Sequence, residues 1–428
     1  MSVHAEQQVL GAILLGGADI VMQVSEAIEP ADFSDAMNGK IFARMQGMAS
    51  DGIAVDFSTV ISRCNDGEMV AYIAELVSNT ASASNAELFA TEVKRLSTTR
   101  KLAQAGKNIQ AITASEAPIG EKLEAAHAML QEISEQSTRT VETINEYLKE
   151  SISYIEDRVQ NKGIVKGLET GLADLDRRLM GIDDTDLVII AARPSMGKTS
   201  LALNIAAHNA VHKGKPVYFC SMEMTPAQLV TRIISSECRV PGKRRKDGTL
   251  DDNDLNKLAG GVPKLKNIPL VIDGNVSQDV MSITTAAKRA ERTHGKLSCI
   301  IIDYLTQIEG KGQNQNDKIS NISRQLKKMA MSMKTPVICL AQLNRGVEQR
   351  ADKRPMMSDL RDSGAIEQDA DIVMMLYRDD AYNENSQDKG TCEVLVRKFR
   401  NGETGTDRVA SNLHYCRFDN LSSHGQTV

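Results

Sequence analysis

At 428 residues the chain is long enough for two or three domains of roughly 150 residues each, and its 41% hydrophobic and 25% charged composition excludes an intrinsically disordered protein. No apolar run reaches the roughly 18 residues that span a bilayer and no charged-then-apolar leader opens the chain, so a cytoplasmic protein is expected. A net charge of −5, seven cysteines without a CxxC pair, no Trp and 4% aromatics exclude a broadly basic nucleic-acid binder, a zinc or disulfide scaffold and a platform of several stacked rings, so any DNA contact has to be local.

Residues 1–136 predict a helical N-terminal domain. Val9, Leu10, Ile13 and Leu14 recur at helical spacing, as do Phe42, Met45 and Met48. Stretches 85–114 and 121–135 flank a turn at Pro118 and Gly120, the pattern of a helical hairpin. Residues 137–166 predict a linker that contains an amphipathic helix, with Ile144, Leu148, Ile152, Ile155 and Val159 on one face. That stripe suits packing on its own domain or docking on a neighbouring subunit, and the pattern leaves both open.

From residue 167 to 428 the texture is α/β. Runs at 187–192, 217–221, 270–273, 299–303, 336–341, 372–377 and 392–397 are rich in Val and Ile and apolar on both faces. Such runs belong to a mostly parallel sheet covered by helices, which binds ligands beyond the carboxyl ends of its strands. The run Lys243-Arg244-Arg245-Lys246 reads as a charged surface turn.

The chemistry-bearing residues fall at those strand ends. Leu187-Val-Ile-Ile-Ala-Ala-Arg-Pro-Ser-Met-Gly-Lys-Thr-Ser200 is a strand, a tight loop and a helix start, the order of a phosphate-binding loop. Its backbone amides, with Ser195, Gly197 and Ser200, suit a cradle for phosphates. Lys198 suits the β and γ oxygens of ATP or another NTP, and Thr199 suits Mg2+. Ala192 stands where the usual pattern has its first Gly.

Asp303 ends the apolar run 299–303 and is a second candidate for the metal. Glu223 follows the strand after the loop helix and suits a general base, although a helix start also favours an acid. Gln342 ends a further strand, where its amide suits sensing a γ-phosphate or simply bonding nearby backbone. Lys398 and Arg400 sit where a strand turns, as an arginine finger from a neighbouring subunit requires, or as the solvated tip of a hairpin. Between them, residues 344–371 carry Arg345, Arg350, Arg354 and Arg361, offset by seven acids.

Taken together these residues resemble a family, the replicative DNA helicases of the DnaB type, in a phage-encoded version. The resemblance rests on Ala192-Arg-Pro-Ser-Met-Gly-Lys-Thr199, Ser221-Met-Glu-Met224, Ile302-Asp-Tyr-Leu305, Ala341-Gln-Leu-Asn-Arg345, the run from Asp359 to Asp371, and Lys398-Phe-Arg-Asn-Gly402. Ala5-Glu-Gln-Gln-Val-Leu-Gly-Ala-Ile-Leu14 and Pro30-Ala-Asp-Phe33 resemble the family's helical N-domain.

The resemblance implies a RecA-like ATPase at 167–428, a homo-hexameric ring with ATP bound between subunits, single-stranded DNA in the central channel, and a primase and a helicase loader as partners. It implies catalysis by Glu223 with Lys198, Gln342, Lys398 and Arg400, metal binding by Thr199 and Asp303, a nucleotide-proximal Arg232, and DNA contacts by Arg345, Arg361, Asp362 and Gly364. Thr306-Gln307-Ile308 departs from the family's Gln-Leu, and Asp362 is one methylene shorter than its usual Glu. A RecA-like recombinase or clock-type ATPase shares the loop logic but lacks the N-domain and the 359–371 segment. A nucleotide-gated loading protein would lack the full Glu223, Gln342 and Arg400 set.

Overall fold

The computed structural model describes residues 2–63, 67–120, part of 122–159, 167–310, 312, 314–360 and 364–421. It divides into two compact units, 1–160 and 161–428.

The first unit is helical: α1 (Ser2–Gly16), α2 (Ala18–Ser25), α3 (Ala36–Ser50), α4 (Phe57–Ser62), α5 (Gly67–Ser78) and the long α6 (Ala86–Ala114). Carboxylates start two of them, Asp35 accepting from the N–H of Met37 and Asp56 from that of Thr59. Val9, Leu10, Ile13, Phe42 and Met45 are fully buried, so the helical spacing read from the sequence marks the face that forms the core. Asp32 is a buried carboxylate that ties α6 down, accepting from Lys94 at 2.8 Å, Ser97 at 2.7 Å and Lys101 at 3.2 Å. Among the described helices, none is long and apolar enough to cross a membrane.

The second unit is built on a sheet with nine strands among the described residues: β1 (Leu187–Ala192), β2 (Val217–Ser221), β3 (Leu270–Asp273), β4 (Cys299–Asp303), β5 (Val337–Gln342), β6 (Ile372–Tyr377), β7 (Thr391–Phe399), β8 (Gly405–Asn412) and β9 (Arg417–Asp419). Their order is β3-β2-β4-β5-β1-β6-β7-β8-β9. The first six in that order are parallel. From β6 onward the pairs are antiparallel. Strands β1, β2, β4 and β6 are buried along their whole length, as a sheet covered on both faces requires. Residues alternating along each strand feed two separate cores, Ile189 and Ile300 one, Ile190 and Phe219 the other. Burial pushes the thiols of Cys220, Cys299 and Cys392 up to about 12, so they pack as small hydrophobes.

The mostly parallel α/β sheet and the helical N-terminal unit match the sequence reading. Two features differ from it. Strands β8 and β9 carry no apolar run, because at this edge only Asp407, Val409 and Ala410 of β8 are buried. Residues 242–247 form a short helix rather than a turn: Pro241 precedes it, Gly248 ends it at φ +71°, and Arg244 pairs with Asp251 and Asp254 at 3.0 Å.

Burial works to raise the Asp32 pKa, but the Lys94, Ser97, Glu29 N–H and Lys101 hydrogen bonds win and hold it at about 2 instead of 3.8. A carboxylate depressed in this way stabilises the fold fully above its ordinary range, and the effect vanishes as pH falls through the folded value. Asp32→Asn therefore loses about 2 kcal/mol at neutral pH. Hydrogen exchange should show roughly thirtyfold weaker protection of α6, and the gap to the unsubstituted chain should close as pH falls through about 2.

Candidate functional site

Parallel register lines up the strand ends on which the chemistry sits. Ala192 at the end of β1 pairs with Gln342 at the end of β5, and Ser221 at the end of β2 pairs with Asp303 at the end of β4. The chain leaves β1 through Arg193-Pro194-Ser195-Met196 and enters the helix α8 (Lys198–Ala207), following α7 (Ala173–Leu179), with Gly197 as its N-cap at φ +101°. A Cβ at Gly197 would lie 2.6 Å from Cζ of Phe418 and 3.1 Å from Cδ2 of Leu413, so only glycine fits. Ser195 also has a positive φ, +68°, and its carbonyl accepts from Arg378 at 3.3 Å. The result is a helix N-terminus with free amides at the carboxyl edge of the sheet, a site for anionic oxygens.

Asp303 is fully buried. Its Oδ2 accepts from the Thr199 hydroxyl at 2.9 Å, and its Oδ1 lies 3.6 Å from Lys198 Nζ and accepts no hydrogen bond. Lys198 also lies over the Tyr304 ring, 4.5 Å from its centroid. A buried carboxylate oxygen with no donor, beside a hydroxyl oxygen, is the donor set a hard divalent cation prefers. The residues therefore fit a magnesium ion held by Thr199 and Asp303. Ser200 is buried.

Glu223 stands exposed on a turn closed by Ser221, whose Oγ accepts from the N–H of Met224 and donates to its carbonyl. The N–H of Met222 donates to the Asp303 carbonyl at 2.8 Å, which fixes that turn beside Asp303. Gln342 is exposed at the end of β5. With Arg193, Asn344 and Arg345 it lines a cavity of about 610 Å³. Arg232 is half-buried on α9 (Pro226–Cys238), the helix that follows the Glu223 turn.

The arginines of residues 344–371 divide by environment. Arg350 donates to Asp359 at 2.7 Å and Arg354 makes a two-pronged pair with Glu393 at 2.7 and 2.8 Å, so both are held within the fold. Arg345 is exposed on the cavity wall. Arg361 and Asp362 lie outside the described residues, and Gly364 opens the short helix that ends at Asp369.

Lys398 and Arg400 meet the end of that same segment. Lys398 Nζ donates to the carbonyls of Glu367, Gln368 and Ala370, and burial lowers its pKa. Arg400 is 65% exposed, with Nη1 3.6 Å from Asp371 Oδ1 and its N–H bonded to the Asp371 carbonyl. The sequence reading placed Arg193 in the loop but missed its partners, and it missed Arg378, Leu413 and Phe418 as parts of this site, because these residues lie far from the loop along the chain.

Two family profiles match the chain: the DnaB-like helicase N terminal domain over residues 1–95 and the DnaB-like helicase C terminal domain over residues 167–420. The chain is 39% identical over 431 residues to the replicative DNA helicase DnaB of Geobacillus stearothermophilus, covering 98% of this chain and 94% of that protein. It is 37% identical, with the same coverage, to the replicative DNA helicase DnaC of Bacillus subtilis (strain 168). Among solved structures it is similar to a DnaB-like replicative helicase described with its interactions with primase, with a TM-score of 0.78 and 31% identity over 98% of this chain and all of that one. It is also similar to a solved structure described as an ATPase domain, with a TM-score of 0.63 and 36% identity over 66% of this chain and all of that one.

Gly197→Ala combines a positive φ with the Phe418 clash, together roughly 2–4 kcal/mol. Titration with a fluorescent ATP analogue should show affinity about thirtyfold or more weaker. Adding Phe418→Leu should restore only part of it, since the backbone strain remains.

Proposed function

Because the chain belongs to the DnaB-like replicative DNA helicases, ATP-hydrolysing enzymes of the replication fork, we propose that its strand-end cluster is one half of an ATP site completed by a second subunit of a homo-hexameric ring. The observation that carries this reading is the buried Asp303, bonded to Thr199, facing Lys198 and keeping one oxygen without a donor. Thr199 and Asp303 would hold Mg2+, which would supply neutralisation of the phosphates' charge. Ser195, Gly197, Lys198 and Ser200 enclose the phosphates, and Arg232 lies at the nucleotide's side.

In this reading Glu223 orients and deprotonates the attacking water. Lys198 stabilises charge as it moves toward the leaving oxygen, and Gln342 responds to the γ-phosphate. Arg400, with Lys398, reaches the neighbouring subunit's phosphates in trans. Arg345, Arg361, Asp362 and Gly364 hold the backbone of single-stranded DNA, so hydrolysis around the ring releases and re-engages the strand in turn.

Residues 1–136 act as the N-terminal domain, 137–166 as the linker and 167–428 as the motor. The linker's Ile144, Leu148, Ile152, Ile155 and Val159 are all exposed, between 47% and 73%, which supports a seat on another subunit. A primase and a loader complete the proposed set of partners, with the cytoplasm as the place of action.

Lys198→Ala should abolish ATP hydrolysis and forked-DNA unwinding while circular dichroism stays unchanged. A variant that unwinds at the normal rate overturns the assignment. Glu223→Gln should bind the ATP analogue normally and hydrolyse ATP about 10²–10⁴-fold more slowly.

Arg400→Ala rings should be inactive alone and regain hydrolysis when mixed with Lys198→Ala subunits, since each variant supplies what the other lacks. Absence of rescue argues against catalysis in trans. Varying each tail of the fork in the strand-displacement assay gives the polarity.

A further inference from the structure

The phosphate loop is tied to the segment after β5 by its own first residue. The Arg193 side chain is only 9% exposed. Its Nη1 donates to the Leu343 carbonyl at 2.8 Å, and its Nε donates to Glu348 Oε1 at 2.7 Å. The N–H of Leu343 donates in turn to the Ala192 carbonyl at 3.2 Å. The residue next to Gln342 is therefore bonded from both sides to the start of the loop.

Glu348 lies on the single 3-10 turn Arg345–Gln349, anchored by the buried Val347. Arg345, at the head of that turn, shares the wall of the 610 Å³ cavity with Arg193 and Gln342. A guanidinium this buried is strongly destabilising without its carboxylate, so any shift of the loop has to carry Glu348 and its turn along or break the pair.

We propose that the Arg193–Glu348 pair is a positioning link that makes the Arg345 turn follow the phosphate loop, so that the nucleotide state of the loop sets the placement of the DNA-facing segment. The link rests on the reading above that the loop holds ATP and that Arg345 faces DNA. Glu348 is not among the residues proposed to hold ATP or DNA, and its carboxylate is 42% exposed, so water reaches the pair when it is removed. Coupling of this kind is a ratio of affinities, and that ratio is what the link alters.

The test uses the full chain with Glu348→Ala and Glu348→Gln. Three quantities are measured: hydrolysis without DNA, hydrolysis at saturating oligothymidylate, and the ratio of oligothymidylate affinities with a non-hydrolysable ATP analogue and with ADP. Glu348→Ala should lower the melting temperature as Arg193 loses its carboxylate, leave DNA-free hydrolysis well below that temperature unchanged, and reduce both the stimulation and the affinity ratio by about fivefold. Glu348→Gln keeps an oxygen acceptor for Nε and should recover part of each.

Wild-type stimulation and affinity ratio in Glu348→Ala overturn the link. So does an equal loss of hydrolysis with and without DNA, because the pair then merely shapes the nucleotide loop. If the unsubstituted chain shows no stimulation by oligothymidylate, the DNA reading itself fails, and the link with it.

Discussion

The buried carboxylate of Asp303 constrains everything around it. A charge with no solvent exposure has to be met by opposite charge and donors, and here Thr199 and Lys198 meet it only in part. Both partners belong to the first turn of α8, whereas Asp303 ends β4, and β5 lies between β4 and β1 in the sheet. The parallel register puts Ile302 of β4 level with Cys339 of β5 and Ile189 of β1, so β4 ends before its neighbours and Asp303 lies below the loop that leaves β1 after Ala192. Core packing and phosphate chemistry are therefore two consequences of one alignment. Gly197, wedged against Phe418 of the last strand, fixes the loop's height above that edge.

A second alignment joins the parts expected to face DNA with those expected to face a neighbour. Residues 367–371 end the short helix that begins at Gly364 and lead into β6, and the same residues receive Lys398 and Arg400. Asp371 is itself fixed, accepting from the Leu187 N–H at 2.8 Å and from Lys327 at 2.6 Å. A finger strand resting on this point moves with the segment before it. Lys398 cannot reach another subunit without leaving three carbonyls, so in the proposed ring its placement depends on what the helix after Gly364 does.

The sequence exposes what is local and periodic. Strands such as Leu187–Ala192 and Cys299–Asp303 show as apolar runs because both faces are covered, and the loop shows because its glycine, lysine and threonine are consecutive. The N-terminal core shows in the spacing of Val9, Leu10 and Ile13. What stayed hidden are pairs distant along the chain: Arg193 with Glu348, Arg354 with Glu393, Arg178 with Asp407. An arginine that neutralises a carboxylate inside the fold and one that awaits a phosphate look alike in one dimension. The antiparallel edge stayed hidden because Gly405–Asn412 buries only Asp407, Val409 and Ala410.

That division of the arginines reconciles a chain of net charge −5 with a polyanionic substrate. Residues 344–371 hold enough cations for a basic patch, yet Arg350 and Arg354 are tied to Asp359 and Glu393, and their fields are cancelled at close range. Among the described residues of the segment, Arg345 is exposed on the cavity wall that Gln342 also lines. A motor that must release its strand on every cycle is served by few phosphate contacts per subunit, because each adds to affinity and slows release. Committing Arg350 and Arg354, two of the segment's four arginines, to structure would keep the grip weak in each subunit, and the proposed ring would recover hold on the strand by number.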